Sequence, residues 1–117
     1  MRPFERAAQP LPDPTTQQLS WAQIKGSGTT ALFGQENVSS LTDNGAGDYT
    51  VTWAIPYAGA SQYAVTMSSS GQAVSATLHF PAFQTITAGS VRTSFLNYSA
   101  GAASDPELVY ILATGEF

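Results

Sequence analysis

Between positions 49 and 55 the chain alternates: Tyr49, Val51, Trp53 and Ile55 are large and apolar, whereas Thr50, Thr52 and Ala54 are small. This is the period of a β-strand with one buried face. Just before it, Asp43-Asn44-Gly45-Ala46-Gly47-Asp48 supplies residues that accept positive φ or bond their own backbone, so 38–42 is expected to fold back on this strand as a hairpin. From Trp21 onward the pattern stays the same, with short runs of β-branched and aromatic residues punctuated by Gly, Ser, Asn and Pro. Strands are predicted over 20–25, 29–35, 38–42, 49–55, 62–68, 73–80, 91–98 and 108–114, with no helix. That many short strands in one small chain define an all-β fold, an antiparallel β-sandwich or jelly roll.

The inward-facing sets follow from the same period. Tyr63, Val65 and Met67 form one set; Val74, Ala76, Leu78 and Phe80 a second; Val91, Thr93 and Phe95 a third; and Leu108, Tyr110 and Leu112 a fourth. The last strand also carries Val109 and Ile111 on its other face, which suits a central strand or one covered at a subunit contact. Ser68-Ser69-Ser70-Gly71 reads as a hairpin loop, and 81–90 and 99–106 as longer connections. Among the aromatics, Trp21 and Phe33 follow the strand period with the rest, while Tyr57 and Phe83 fall in loops off that period. Those two are the candidates for contact with a partner or a glycan.

Residues 1–20 are different. They hold four of the seven prolines, Pro3, Pro10, Pro12 and Pro14, and show no periodicity, which predicts an extended N-terminal arm ahead of a knob domain over 21–117. Phe4, Pro10, Leu11, Pro12, Pro14 and Leu19 are the residues by which such an arm would anchor to another protein. No run approaches the roughly 18 apolar residues of a membrane span, and Met1-Arg2-Pro3-Phe4-Glu5-Arg6 lacks the apolar stretch of an export signal.

Composition narrows the function classes. Only 10% of the 117 residues are charged, against about 25% in an ordinary soluble domain, which implies that part of the surface is covered by protein. The net charge is −4 and the basic residues Arg2, Arg6, Lys25 and Arg92 are scattered, so nucleic acid is not an expected partner. Without cysteine there is neither a disulfide framework nor a thiolate site.

Candidate chemistry is sparse. His79 is the single histidine, at a strand end with no nucleophile turn nearby, and reads as a surface residue because a catalytic base needs a positioned partner. Asp43, Asn44 and Asp48 could supply oxygen ligands to calcium, but their spacing is not that of an EF-hand and the glycines between them account for the loop as a turn. Glu36, Asp43, Asp48, Asp105, Glu107 and Glu116 lie in turns or termini rather than as the facing pair that cleaves glycosidic bonds. Asn37-Val38-Ser39 and Asn97-Tyr98-Ser99 match a glycosylation pattern, yet both asparagines are expected to serve strand-end or turn hydrogen bonds. No catalytic residue, cofactor or metal is therefore assigned.

One stretch carries a resemblance. Asn37-Val38-Ser39-Ser40, Thr42-Asp43-Asn44-Gly45 and Gly47-Asp48-Tyr49-Thr50-Val51 together resemble a segment of bacteriophage virion proteins, chiefly at the distal ends of tail fibres. The similarity extends to Trp21, Gly26-Ser27-Gly28-Thr29, Tyr63-Ala64-Val65 and Ser90-Val91-Arg92, covering 21–98. It implies a virion structural protein and not an enzyme: a homotrimeric tail-appendage knob for host attachment or fibre capping. A capsid decoration or head-fibre protein held to the shell by its N-terminal arm is the alternative. The implied partners are other copies of the chain, other virion proteins and a host-surface glycan or protein.

Overall fold

The computed structural model describes residues 17–70, 79–97 and 102–117. Among them there are eight strands and no helix: β1 (Gln17–Lys25), β2 (Ala31–Glu36), β3 (Val38–Gly45), β4 (Asp48–Trp53), β5 (Tyr63–Ser70), β6 (His79–Ile86), β7 (Ser90–Asn97) and β8 (Leu108–Glu116). They form two antiparallel four-stranded sheets, in the order β2-β1-β8-β5 (sheet A) and β3-β4-β7-β6 (sheet B). The all-β sandwich expected from the pattern is the fold observed.

The core is the slab between the two inner faces. Sheet B contributes Val38, Tyr49, Val51, Trp53, Val91 and Phe95, and sheet A contributes Ala22, Ile24, Val109, Ile111 and Ala113. Tyr63, Val65 and Met67 on β5 pack against this core half-buried, as their phase predicts. Val91, Thr93 and Phe95 are fully buried, also as predicted.

Five expectations need correcting. On β8 the buried set is Val109, Ile111 and Ala113, while Tyr110 and Leu112 point outward and are exposed. Both faces of that strand are apolar, so period alone could not choose. The register decides: Val109 and Ile111 stand beside Ile24 and Ala22 in the inner layer, where Tyr49 and Phe95 of the facing sheet already supply the bulk. Second, Ile55 is exposed although it continues the alternation of β4, because the strand ends at Trp53. Third, the region read as a connection over 81–90 is mostly strand: β6 runs across Pro81 to Ile86. It lies at the edge of sheet B, where a missing N–H costs no ladder bond. Residues 73–78, predicted as its first part, lie outside the described residues. Fourth, Ser68, Ser69 and Ser70 belong to β5 rather than to a turn.

Fifth, Phe33 departs from its phase for another reason. β1 and β2 slip by one residue where Gln23 pairs with Gly34 and Ile24 with Leu32. Phe33 is the unpaired bulge residue, and it is 59% exposed.

The change of sheet between β2 and β3 takes one residue, Asn37, whose φ of 57° lies in the left-handed region. Its Nδ2 donates to Ser20 Oγ of sheet A (2.9 Å) and to the Ile55 carbonyl beyond β4 (3.1 Å). Its Oδ1 accepts from the Ile55 N–H at 2.7 Å, and its carbonyl accepts from the Ala54 N–H at 2.9 Å. The turn role expected of this asparagine is the one it has.

Two stability outcomes follow. Asn37→Ala removes the amide bonds and keeps the left-handed backbone, so it is expected to cost about 2–4 kcal/mol, whereas Asn37→Gly relieves the backbone and costs less. Equal losses in urea titration would show that backbone conformation is not part of the effect. Trp53→Ala empties a site only 3% exposed, and a loss of about 3–5 kcal/mol is expected; an unchanged melting temperature would contradict the inward phase of β4.

Candidate functional site

Sequence reasoning singled out residues in the β3–β4 hairpin and in the aromatic cluster around Tyr57, together with Phe83 on β6 and Leu19 on β1.

The hairpin is held by its own side chains. Asp43 Oδ1 accepts from the Gly45 N–H at 3.0 Å, closing an Asx turn, and Asp43 Oδ2 accepts from Thr30 Oγ1 at 2.8 Å. Asn44 Nδ2 donates to Thr50 Oγ1 at 2.7 Å and to Asp48 Oδ1 at 3.3 Å. Arg92, on the neighbouring strand β7, grips Asp48 with two parallel bonds, Nε to Oδ1 at 2.9 Å and Nη2 to Oδ2 at 2.7 Å. That grip holds the Asp48 carboxyl below the usual carboxylate range, against the opposing effect of partial burial. The Asp43 and Asp48 carboxylates are thus engaged in turn bonds and an ion pair.

Behind the hairpin, Asp105 anchors the segment that leads into β8. Its Oδ1 accepts from the Gly47 N–H at 2.6 Å and from the Tyr49 hydroxyl at 2.8 Å. Gly47 has φ +62°, and a Cβ there would collide with the carbonyls of Ser104 and Phe95, so a glycine is required. Burial, then the bond to Asp105, pushes the Tyr49 phenol well above its ordinary value.

Tyr57, expected as an exposed contact residue, is buried. Its ring stacks on Tyr63 with centroids 4.1 Å apart and meets Trp53 edge-on at 6.1 Å. Its hydroxyl shares a 2.6 Å hydrogen bond with Ser20 Oγ. A loop residue with no strand period gave no sign that the chain turns back under the sandwich after Pro56. Phe83, the other candidate, is on the edge strand β6 and is exposed, so it remains available to a partner. His79 is the first residue of β6. Of the second glycosylation-pattern triplet, Asn97 closes β7 while 98 and 99 lie outside the described residues.

The proposed anchoring residues Phe4, Pro10, Leu11, Pro12 and Pro14 also lie outside the described residues. Leu19 does not belong to an arm. It is part of β1, which begins at Gln17, pairs with Thr114 of β8, and is 51% exposed.

Leu19 brings into view a surface that sequence reasoning missed. On the outer face of sheet A the registers align Trp21 with Leu112 and Thr66, and Gln23 with Tyr110 and Ser68. These six residues line a shallow depression of about 330 Å³. Its middle rows carry apolar and uncharged side chains; Lys25 and Glu116 lie at opposite ends and Glu36 on the flank. The outer face of sheet B is more polar: Thr50, Thr52, Ser94, Gln84, Arg92 and Asp48 face outward, most of them bonding one another, with Leu96 the exposed apolar exception. The signal for the apolar face was present in β8, whose two apolar sides had to place one set outward.

Comparison with protein families, with curated proteins and with solved structures gave no match.

Two buried tyrosines and the half-buried Tyr63 set an alkaline response. Burial raises the phenols of Tyr49, Tyr57 and Tyr63, so each favours its neutral form in the folded state. A raised acid contributes stability that is complete below its unfolded value, about 10, and is lost as the pH climbs above it. The protein is expected to lose stability from about pH 10 upward, and Tyr49→Phe to lose less over that interval. Parallel pH curves for parent and variant in thermal denaturation would refute the assignment.

Proposed function

We propose that this chain is a structural protein of a bacteriophage virion, a homotrimeric tail-appendage knob that engages the host or caps a fibre. The observation that best supports the reading is the outer face of sheet A, whose exposed Leu19, Tyr110 and Leu112 beside Trp21 suit contact with protein rather than water. Apolar side chains beside aromatics, without charge in the middle, are the composition of interface centres. The described residues bring no acid pair and base together at a cleft: Asp43, Asp48 and Asp105 are all spent on the hairpin and its anchor. The resemblance of the Asn37–Val51 segment supplies the virion assignment and the trimer. That segment holds the crossing between sheets and the hairpin, features that build a scaffold.

Residues 1–16 are proposed to anchor the knob to the particle. Because β1 starts at Gln17 and Ser20 is buried, the informative deletion removes 1–16 and leaves β1 whole. The shortened chain is expected to fold and to be lost from particles assembled with it in place of the parent. Full occupancy, read from the protein content of purified particles, would place the anchor in the β-domain instead. Density of the whole particle, with this fold located at the tail or on the shell, separates the tail knob from the capsid decoration protein.

A further inference from the structure

We infer that the outer face of sheet A is the surface on which a second copy of this chain packs, with Leu19, Trp21, Tyr110 and Leu112 at the centre of the contact. The inference deepens the oligomeric part of the proposed function and does not need its virion part.

The molecule carries its own comparison, because it has two outer faces of similar strand number. On sheet B the outward residues are mostly hydroxyls, amides and the Asp48–Arg92 pair, bonded as Asn44 to Thr50, Gln84 to Ser94 and Arg92 to Asp48, with Leu96 of β7, 42% exposed, as the large apolar exception. That face carries one exposed large apolar side chain, where sheet A exposes Leu19, Tyr110 and Leu112. On sheet A the outward positions of the two central strands are Leu19, Trp21 and Gln23 on β1 and Tyr110 and Leu112 on β8, with Leu112 47% exposed. The four large apolar side chains among these occupy the middle of the sheet, where a facing layer would cover them, and a further exposed ring, Phe33, lies on the edge strand β2.

The largest ring on the face lies low. Gly34 lies beside the Trp21 ring, and a Cβ there would come within 3.0 Å of two of its ring carbons. The indole therefore lies over the β2 backbone instead of standing up from the sheet. Sheets pack face to face at about 10 Å separation, and a ring that does not stand up from the sheet permits that approach.

Charge favours a copy of the same chain over a foreign occupant. The chain carries −4, and Asp43, Asp48, Asp105 and Glu107 all lie off this face, on the hairpin and on the segment entering β8. Two copies meeting by any surface that includes those acids would set like charges together, whereas the middle of sheet A brings apolar rows onto apolar rows. At its margin the face has one cation, Lys25, and two acids, Glu36 and Glu116, so it also holds both signs needed to pair with itself. A basic partner would find its complement elsewhere on the molecule.

The test is sedimentation of the full chain at micromolar concentration, with matched charge insertions on the two faces. The parent is expected at a multiple of 12.3 kDa. Leu112→Lys and Tyr110→Lys are each expected to weaken association by at least about tenfold, and Thr52→Lys, the same charge on the outer face of sheet B, to leave it unchanged. Circular dichroism and melting temperature check that the variants are folded. A parent at the mass of a single chain overturns the inference, including one whose depression takes a sugar or is covered by residues 1–16 of its own chain. It is overturned as well by an oligomer that both sheet A variants leave intact, or by both variants failing to fold. A complex of three chains that Leu112→Lys leaves intact keeps the trimer and removes this interface; a complex of another size that it dissociates keeps the interface and removes the trimer.

Discussion

The sandwich depends on how one side chain reads both sheets at once. Between β2 and β3 the chain must leave sheet A and enter sheet B, and it does so over Asn37 alone, in a left-handed conformation that asparagine tolerates better than most residues. The amide then bonds Ser20 of sheet A and both backbone groups of Ile55 beyond sheet B. Ser20 is fully buried and passes the connection to Tyr57, whose ring stacks on Tyr63 and closes the same end of the core. The Ser20–Tyr57 bond is buried and therefore costly to leave unmade, and with the directional Asn37 bonds at the surface it ties the two sheets together at this end.

The opposite end of the hairpin is fixed by a different device with the same logic. Asp105 accepts from the turn backbone at Gly47 and from Tyr49, which is itself a core residue. The hairpin turn is thereby tied to the segment entering β8, and β8 is the strand that joins β1 to β5 in sheet A. With both ends of the hairpin pinned, the inner faces have one register, and each inner choice dictates an outer one because side chains alternate. Placing Val109, Ile111 and Ala113 inward necessarily places Tyr110 and Leu112 outward. The apolar outer face of sheet A is thus a consequence of how the core is filled as well as a surface in its own right.

Period two and turn chemistry made much of this legible in the sequence. The β4 alternation identified Tyr49, Val51 and Trp53 as core, and the Asp43–Asp48 composition identified the turn, because both are local properties. What period two could not reach was any decision taken between strands. The phase of β8 required knowing its neighbours. The burial of Tyr57 required knowing that the loop returns to Ser20, a contact 37 residues distant in sequence. Pro81 argued for a connection and instead sits in an edge strand, a position that only the strand order reveals. The start of β1 at Gln17 was hidden for a similar reason: Gln17 and Gln18 have no strand character of their own and are strand because they pair with Glu116 and Gly115.

The low charge content also takes on a physical meaning once the positions are known. If the scarcity of charge were uniform, both outer faces would be equally poor in it, and composition would say nothing about which surface is covered. It is not uniform. Asp43, Asp48 and Arg92 are drawn into hydrogen bonds that hold the hairpin to β2 and β7, and Asp105 is spent on the anchor. What this leaves to sheet A is two aliphatic and two aromatic side chains across its middle, with charges only at the margin. A sheet that presented such a face to water would carry the edge-free but sticky surface that soluble monomers limit in area. The chain instead concentrates it on the two central strands, β1 and β8, whose backbone hydrogen bonds are already satisfied on both sides. A partner meeting this face would be held by side chains and shape rather than by the unpaired backbone of an edge, which would accept any strand.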